Sequence, residues 1–223
     1  MKPVRQRKLV DGLAKRVGAT GQVVGIDMDA AQLEIARAEA AVQNLHNIDY
    51  RVVDVVNPPS DLGSFDLVYT RFLLMHLSKP AEALRWMLKC LRSGGLLVIE
   101  DGDVSAHFCY PPLPAFDRYA GLLCEVIRRH GGDPSIGIKL PQMLIDAGIS
   151  IGGVVVTQPA DIDGDLKLLD ALTMENIADA VVSESLATRD EVERLKESLH
   201  KCAIDARTFQ SVARRIQVWA TKP

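Results

Sequence analysis

Acidic residues recur in this 223-residue chain at one kind of place, the carboxyl end of a short apolar run. Gln22-Val23-Val24-Gly25-Ile26 stops on Asp27, Ile48 to Val53 stops on Asp54, and Leu96 to Ile99 is followed by Glu100, Asp101 and Asp103. In nucleotide-binding α/β proteins a carboxylate so placed accepts hydrogen bonds from ribose hydroxyls. Asp27 is the leading candidate for that chemistry and Asp54 the second; a solvated acid that merely starts a helix is the plain alternative for each. His76, in Phe72-Leu73-Leu74-Met75-His76-Leu77, could take a proton from a nucleophile or line a pocket, since its ordinary pKa is near neutral. It could equally flank the core. His107, Phe108 and Tyr110 follow the third acidic cluster and read as either a substrate wall or a lid. That cluster could hold a cationic or hydroxylated acceptor, or be simply solvated.

The elements that must position these residues alternate helix and strand. Leu9, Leu13 and Val17 share a helical face. Gly18-Ala19-Thr20-Gly21 turns the chain into a strand ending at Ile26. Asp29, with Gln32 three residues on, opens a helix running to about Asn44, with Leu33, Ile35, Ala36 and Ala40 inward. A second strand spans Ile48 to Val53, and a third spans Phe65 to Tyr69. A helix then runs from about Pro80 to Leu91, stopped by Ser93-Gly94-Gly95, and a strand from Leu96 to Ile99 follows. This alternation predicts a mostly parallel sheet with helices on both faces and all strand ends on one edge, where ligands bind.

Beyond residue 103 the texture changes. Phe108-Cys109-Tyr110-Pro111-Pro112-Leu113-Pro114 reads as a stiff loop without regular structure. Helices follow at Ala115–Arg129, Leu140–Ala147, Asp165–Val182 and Thr188–Ala203, the last opened by a Thr188…Glu191 capping box. Strands are expected at Val154–Thr157 and Ile216–Ala220. Trp86, Met87 and Trp219 read as packing residues. The mixed charges from Arg189 to Glu197 read as a solvated helical face, with pairs such as Asp190 with Arg194.

Composition narrows the possibilities. A net charge of -3 supplies no basic field, so no nucleic-acid partner is expected. The four cysteines form no C-x-x-C pair, so no metal site is expected and a reducing, cytoplasmic location is. The basic start, Met1 to Lys8, leads into no apolar segment, and no run approaches a membrane span, so no membrane partner is expected.

Together, Gly25-Ile26-Asp27-Met28-Asp29, Phe65-Asp66-Leu67-Val68-Tyr69 with Arg71 to Leu77, and Leu91-Arg92-Ser93-Gly94-Gly95-Leu96-Leu97 resemble class I S-adenosylmethionine-dependent methyltransferases of the small-molecule type. Gln217-Val218-Trp219-Ala220 resembles their last strand. The resemblance implies a three-layer, Rossmann-like α/β domain over residues 1–223, with a seven-stranded sheet whose last strand is antiparallel. Residues 103–150 and 160–205 would be helical cap insertions on the substrate side. It implies S-adenosylmethionine as cofactor: Asp27 on the ribose hydroxyls, Met28 beside the adenine, Asp54 and Val55 at the adenine edge, and Thr70 and Arg71, just after the third strand, near the methionine part. His76, His107 and Tyr110 would then face the acceptor, and the reaction would be methyl transfer to an O, N or C nucleophile of a small molecule.

The pattern departs from the family at the start. The first strand and its glycine-rich loop, D-x-G-x-G-x-G, are absent or replaced; Lys8 to Arg16 runs straight into helix, with Val10-Asp11-Gly12 as a remnant. One glycine cannot give the close backbone approach that such a loop provides. The readings are a start lying further upstream, a deletion that ends cofactor binding, replacement of the strand by residues 1–10, or a second protomer filling the gap by a domain swap or as a homodimer. A chain without the loop could instead serve as an inactive partner or structural subunit.

Overall fold

The structure, a computed structural model, describes residues 4–223, with side chains from Leu9 onward. Met1, Lys2 and Pro3 of the basic start lie outside the described residues. Two compact units divide at Leu62 and Gly63.

The first unit runs α1 (Val4–Val17), β1 (Val23–Asp27), α2 (Ala30–Val42) and β2 (Ile48–Val52). Residues 4–10 are therefore helical, and no strand replaces the family's first one there. β1 and β2 are parallel, in register from Val23 opposite Ile48 to Asp27 opposite Val52. Asp29 caps α2 as its residue type predicts: Oδ1 accepts from the Ala31 and Gln32 amides at 2.9 and 3.4 Å. Leu33, Ala36 and Ala40 pack on Tyr50. Ile35, expected inward, is 43% exposed, because two residues of helix carry it about 200° around from Leu33.

The second unit holds β3 (Phe65–Arg71), α3 (Pro80–Lys89), β4 (Leu91–Asp103), β5 (Cys109–Tyr110), α4 (Pro114–Arg129), α5 (Leu140–Asp146), β6 (Ile151–Thr157), β7 (Ala160–Asp161), α6 (Leu168–Ser183), α7 (Arg189–Ile204), β8 (Phe209–Ser211) and β9 (Arg214–Thr221). Its main sheet has the order β3-β4-β9-β6, with β3 parallel to β4 and β9 antiparallel to both neighbours. The α/β class and the antiparallel last strand are thus as the sequence implied. The seven-stranded sheet is not continuous among the described residues. β1-β2, the four-stranded ladder and a small β5-β8-β7 sheet are separate, and the residues ahead of β1 are helix.

Three local expectations change. Ser93-Gly94-Gly95 does not end a helix: α3 stops at Lys89, and the glycines lie inside the 13-residue β4. Gly94 takes a φ of +75° there, and a register shift lets Phe65 pair with Leu91 while Leu67 pairs with Leu96. Thr70 and Arg71 belong to β3 and do not follow it. The proline-rich loop contains a two-residue strand, β5, because Cys109 and Tyr110 pair with Gln210 and Phe209 of β8.

Two apolar clusters fill this unit. Leu97 and Ile99 of β4 and Ile216, Val218 and Ala220 of β9 pack with Leu84 and Met87 of α3 and Leu140 and Leu144 of α5. α4, α6 and α7 form a separate helical core around Phe116, Tyr119, Met174, Val181, Val192 and Leu199. Lys167, 1% exposed, sits at the mouth of α6. Its Nζ donates to the carbonyls of Ile162, Asp205 and Thr208 at 3.1, 2.7 and 3.1 Å and to Thr208 Oγ1 at 2.7 Å.

Candidate functional site

In the first unit the two leading acids share one end of a parallel pair. Asp27 is the last residue of β1, opposite Val52, and Asp54 follows two residues later. Asp27 Oδ1 accepts from the Asp29 amide at 3.0 Å, which fixes the carboxylate beside the start of α2. Met28, between the two acids of that turn, is 71% exposed. Asp54 is bound locally, accepting from the Val56 amide at 2.8 Å and Asn57 Nδ2 at 3.0 Å, and these bonds hold its carboxyl below the usual range. Val55, beside it, is partly exposed.

The glycine cradle has no counterpart among the described residues. Gly12 lies within α1, and a Cβ added there meets nothing within 4 Å, so no close approach requires a glycine. The described residues thus place two carboxylates, the chemistry that ribose hydroxyls call for, at this end, and Gly12 supplies no glycine turn.

In the second unit the acids at the end of β4 are tied inward. Asp101 is fully buried and accepts from the Leu74, Met75 and Gly102 amides at 2.8, 3.3 and 3.0 Å. Burial pushes its carboxyl up to about 6 against the pull of those amides. It thereby anchors the 3-10 turn Leu74–His76 that carries His76, which is exposed. Asp103, 4% exposed, accepts from Ser105 Oγ at 2.6 Å and lies 3.7 Å from Arg214. Glu100 pairs with Arg71 Nε at 2.9 Å and accepts from Gln217 at 3.3 Å. This cluster is neither solvated nor open to an acceptor: it organises the sheet edge. Arg71, expected near the methionine part of the cofactor, has its Nε committed to Glu100, and Thr70 is buried in β3 at 7% exposure.

His107 lies between β4 and β5, its ring 6.0 Å from Phe116 and 6.4 Å from Tyr119. Its Nδ1 is buried without a hydrogen-bond partner among the described residues. Burial pushes the imidazole down to about 4, with Asp103 pulling the other way, so it is neutral at pH 7. Tyr110 is 68% exposed. The structure sets His107 against the helical core and Tyr110 toward solvent. Sequence reasoning missed Asp170, 2% exposed, which accepts from Tyr119 Oη at 3.1 Å and Gln210 Nε2 at 2.6 Å. An acid in the first turn of a helix gave no sign of burial.

Comparison with known proteins now bears on these residues. The family described as "Methyltransferase domain" matches residues 8–99. Residues 8–99 thus carry a likeness to methyltransferase domains. The chain is 34% identical over 144 residues to an uncharacterised 37.1 kDa transposon protein of Streptomyces fradiae, covering 64% of this chain and 40% of that one. It is 33% identical over 115 residues to the demethylmenaquinone methyltransferase of Staphylococcus epidermidis, covering 52% and 44%. The chain thus spans less than half the length of these curated relatives.

Among solved structures, a candidate methyltransferase from Bacillus halodurans aligns at TM-score 0.59 and 20% identity, covering 91% of this chain and 83% of that one. Coclaurine N-methyltransferase aligns at TM-score 0.58 and 16% identity, covering 96% and 64%. The [4+2]-cyclase SpnF aligns at 0.52 and 18%, covering 95% and 71%. A cyclase on the same fold is a reminder that the reaction is argued from the site.

Proposed function

We propose that the chain's chemistry is S-adenosylmethionine-dependent methyl transfer to an O, N or C nucleophile of a small molecule. The observation that carries this reading is the placement of Asp27 and Asp54 at one end of the parallel β1-β2 pair, with Met28 exposed beside them. Asp27 would accept the ribose hydroxyls, Met28 would lie along the adenine, and Asp54 and Val55 would meet its edge. Thr70 and Arg71 would lie toward the methionine part, acting through the Glu100 pairing of Arg71 and not as a free cation. The sulfonium supplies a methyl group already activated for attack. The protein's part is to align the acceptor with it and to exclude water.

His76, His107 and Tyr110 are assigned to the acceptor side. His107 is neutral with a buried Nδ1, so it would serve the acceptor as a hydrogen-bonding wall, and an acceptor without a proton to lose needs no base. Relatives named for demethylmenaquinone and for a coclaurine nitrogen support a small-molecule acceptor and leave the nucleophilic atom open. The net charge of -3 supports an acceptor other than nucleic acid.

A second reading, a methyltransferase-like chain that acts as a partner or structural subunit, is supported by Gly12 lying in α1 with no close approach that needs a glycine. Calorimetric titration with S-adenosylmethionine and with S-adenosylhomocysteine separates the two. Micromolar binding that weakens at least tenfold in Asp27→Asn supports the enzyme reading. No heat and no thermal shift with either ligand would leave only the second.

A further inference from the structure

The second unit brings two thiols from distant parts of the chain together. Cys109 of β5 and Cys202 in the last turn of α7 are 93 residues apart in sequence, yet their Sγ atoms lie 3.7 Å apart. Cys109 is partly exposed, whereas Cys202 is 5% exposed. We propose that Cys109 and Cys202 are a redox pair, which a low-molecular-weight disulfide converts into an intrachain disulfide fastening β5 to the end of α7.

The geometry needs little change. A disulfide has a sulfur–sulfur distance of about 2.0 Å, so the atoms close by roughly 1.7 Å, within reach of side-chain rotation and a small shift of the two-residue strand. The chemistry divides by exposure. The thiolate of Cys109 attacks one sulfur of the small disulfide and expels one small thiolate, leaving a mixed disulfide. The thiolate of Cys202 then attacks the Cys109 sulfur and expels the second. Two protein thiols are oxidised, one small disulfide is reduced to two thiols, and those thiols take up the two protons. The rate is set by access to thiolate, and burial together with the neighbouring sulfur pushes Cys109 up to about 12. The pair is therefore a slow tie and not a fast sensor.

Oxidation also rewires its surroundings. The reduced Cys202 Sγ lies 3.4 Å from Gln210 Oε1 and 3.5 Å from Thr208 Oγ1 and can donate its one proton to either, which a disulfide sulfur cannot. Gln210 keeps its bonds to Asp170 and the Lys167 carbonyl, so the small sheet stays anchored while β5, which carries Tyr110, loses freedom. This inference is independent of the methyltransferase reading, because it needs neither cofactor nor acceptor.

The test is incubation of the folded full chain with oxidised glutathione, followed by non-reducing peptide mapping and thermal unfolding. A Cys109–Cys202 cross-linked peptide is expected, with Cys124 unmodified and Tm raised by roughly 5 °C or more from closing so long a loop. Cys202→Ser should instead hold a stable glutathione on Cys109. Overturning results are a stable glutathione on Cys109 of the parent protein without the cross-link, or a folded chain that stays reduced where the urea-unfolded chain is oxidised. An oxidised protein with unchanged or lowered Tm would also overturn it.

Discussion

Asp170→Asn removes a buried charge while leaving both of its hydrogen bonds available. In the parent protein the carboxylate accepts from Tyr119 Oη and Gln210 Nε2, and burial pushes it up from 3.8 to about 6. An asparagine amide oxygen can accept from Gln210, and its nitrogen can donate to the Tyr119 oxygen, so the neutral replacement fits. The span from 3.8 to about 6 corresponds to about 3 kcal/mol between the two protonation states. Because the folded value is raised, the associated stability is fully present below about 3.8 and is lost as pH rises through about 6. Between about pH 5 and about pH 7.5 the parent therefore loses about 1.4 kcal/mol at this residue, and the Asn variant loses none. Urea unfolding of both proteins, followed by far-ultraviolet circular dichroism at the two pH values, reads that difference. A stability gap that is the same at both pH values, or that moves toward the parent as pH rises, refutes the reasoning.

His107 should act in the opposite sense. Its imidazole falls from 6.5 to about 4 on folding, so its stability is present above about 6.5 and is lost as pH falls toward 4. His107→Phe should therefore lose less stability between about pH 7 and about pH 5 than the parent, by up to about 2 kcal/mol, in thermal melts at the two pH values. Met174→Ala, at a fully buried position in the helical core, should cost about 2–5 kcal/mol in chemical unfolding. Gly132→Ala would drive a Cβ into the Met75 carbonyl and should cost about 1–3 kcal/mol; a melt matching the parent would show that this loop adjusts freely.

What could be read in the sequence was what short-range chemistry decides. Asp29 and Thr188 announced helix starts because an N-cap bonds amides two and three residues away; Thr188 Oγ1 accepts from Glu191 N at 3.2 Å. The charged face of α7 is laced by local pairs, among them Lys196 with Glu193 and Lys201 with Glu197. Ser93-Gly94-Gly95 misled because its partners are remote: the Gly94 amide donates to Lys222 O and the Lys222 amide to Gly95 O, both at 2.9 Å. The same holds for Asp101, whose donors at Leu74 and Met75 lie 27 and 26 residues upstream. Of the candidate residues, the position of Asp27 at the end of β1 was legible because a short apolar run stops on it, whereas β2 ends at Val52, two residues before Asp54. The environments of Thr70, Arg71 and His107 depend on which strands and helices neighbour them, and periodicity carries no such information.

Lys167 has a practical consequence of its own. Its ammonium is enclosed by three carbonyls and a hydroxyl, so it is a core group wearing a surface residue's name. Reductive methylation of the folded protein, a routine way of altering lysines before crystallisation, should leave it untouched while surface lysines react. Libraries that exchange lysine for arginine to raise solubility should omit this position, because a flat guanidinium does not match a cage shaped around a compact cation.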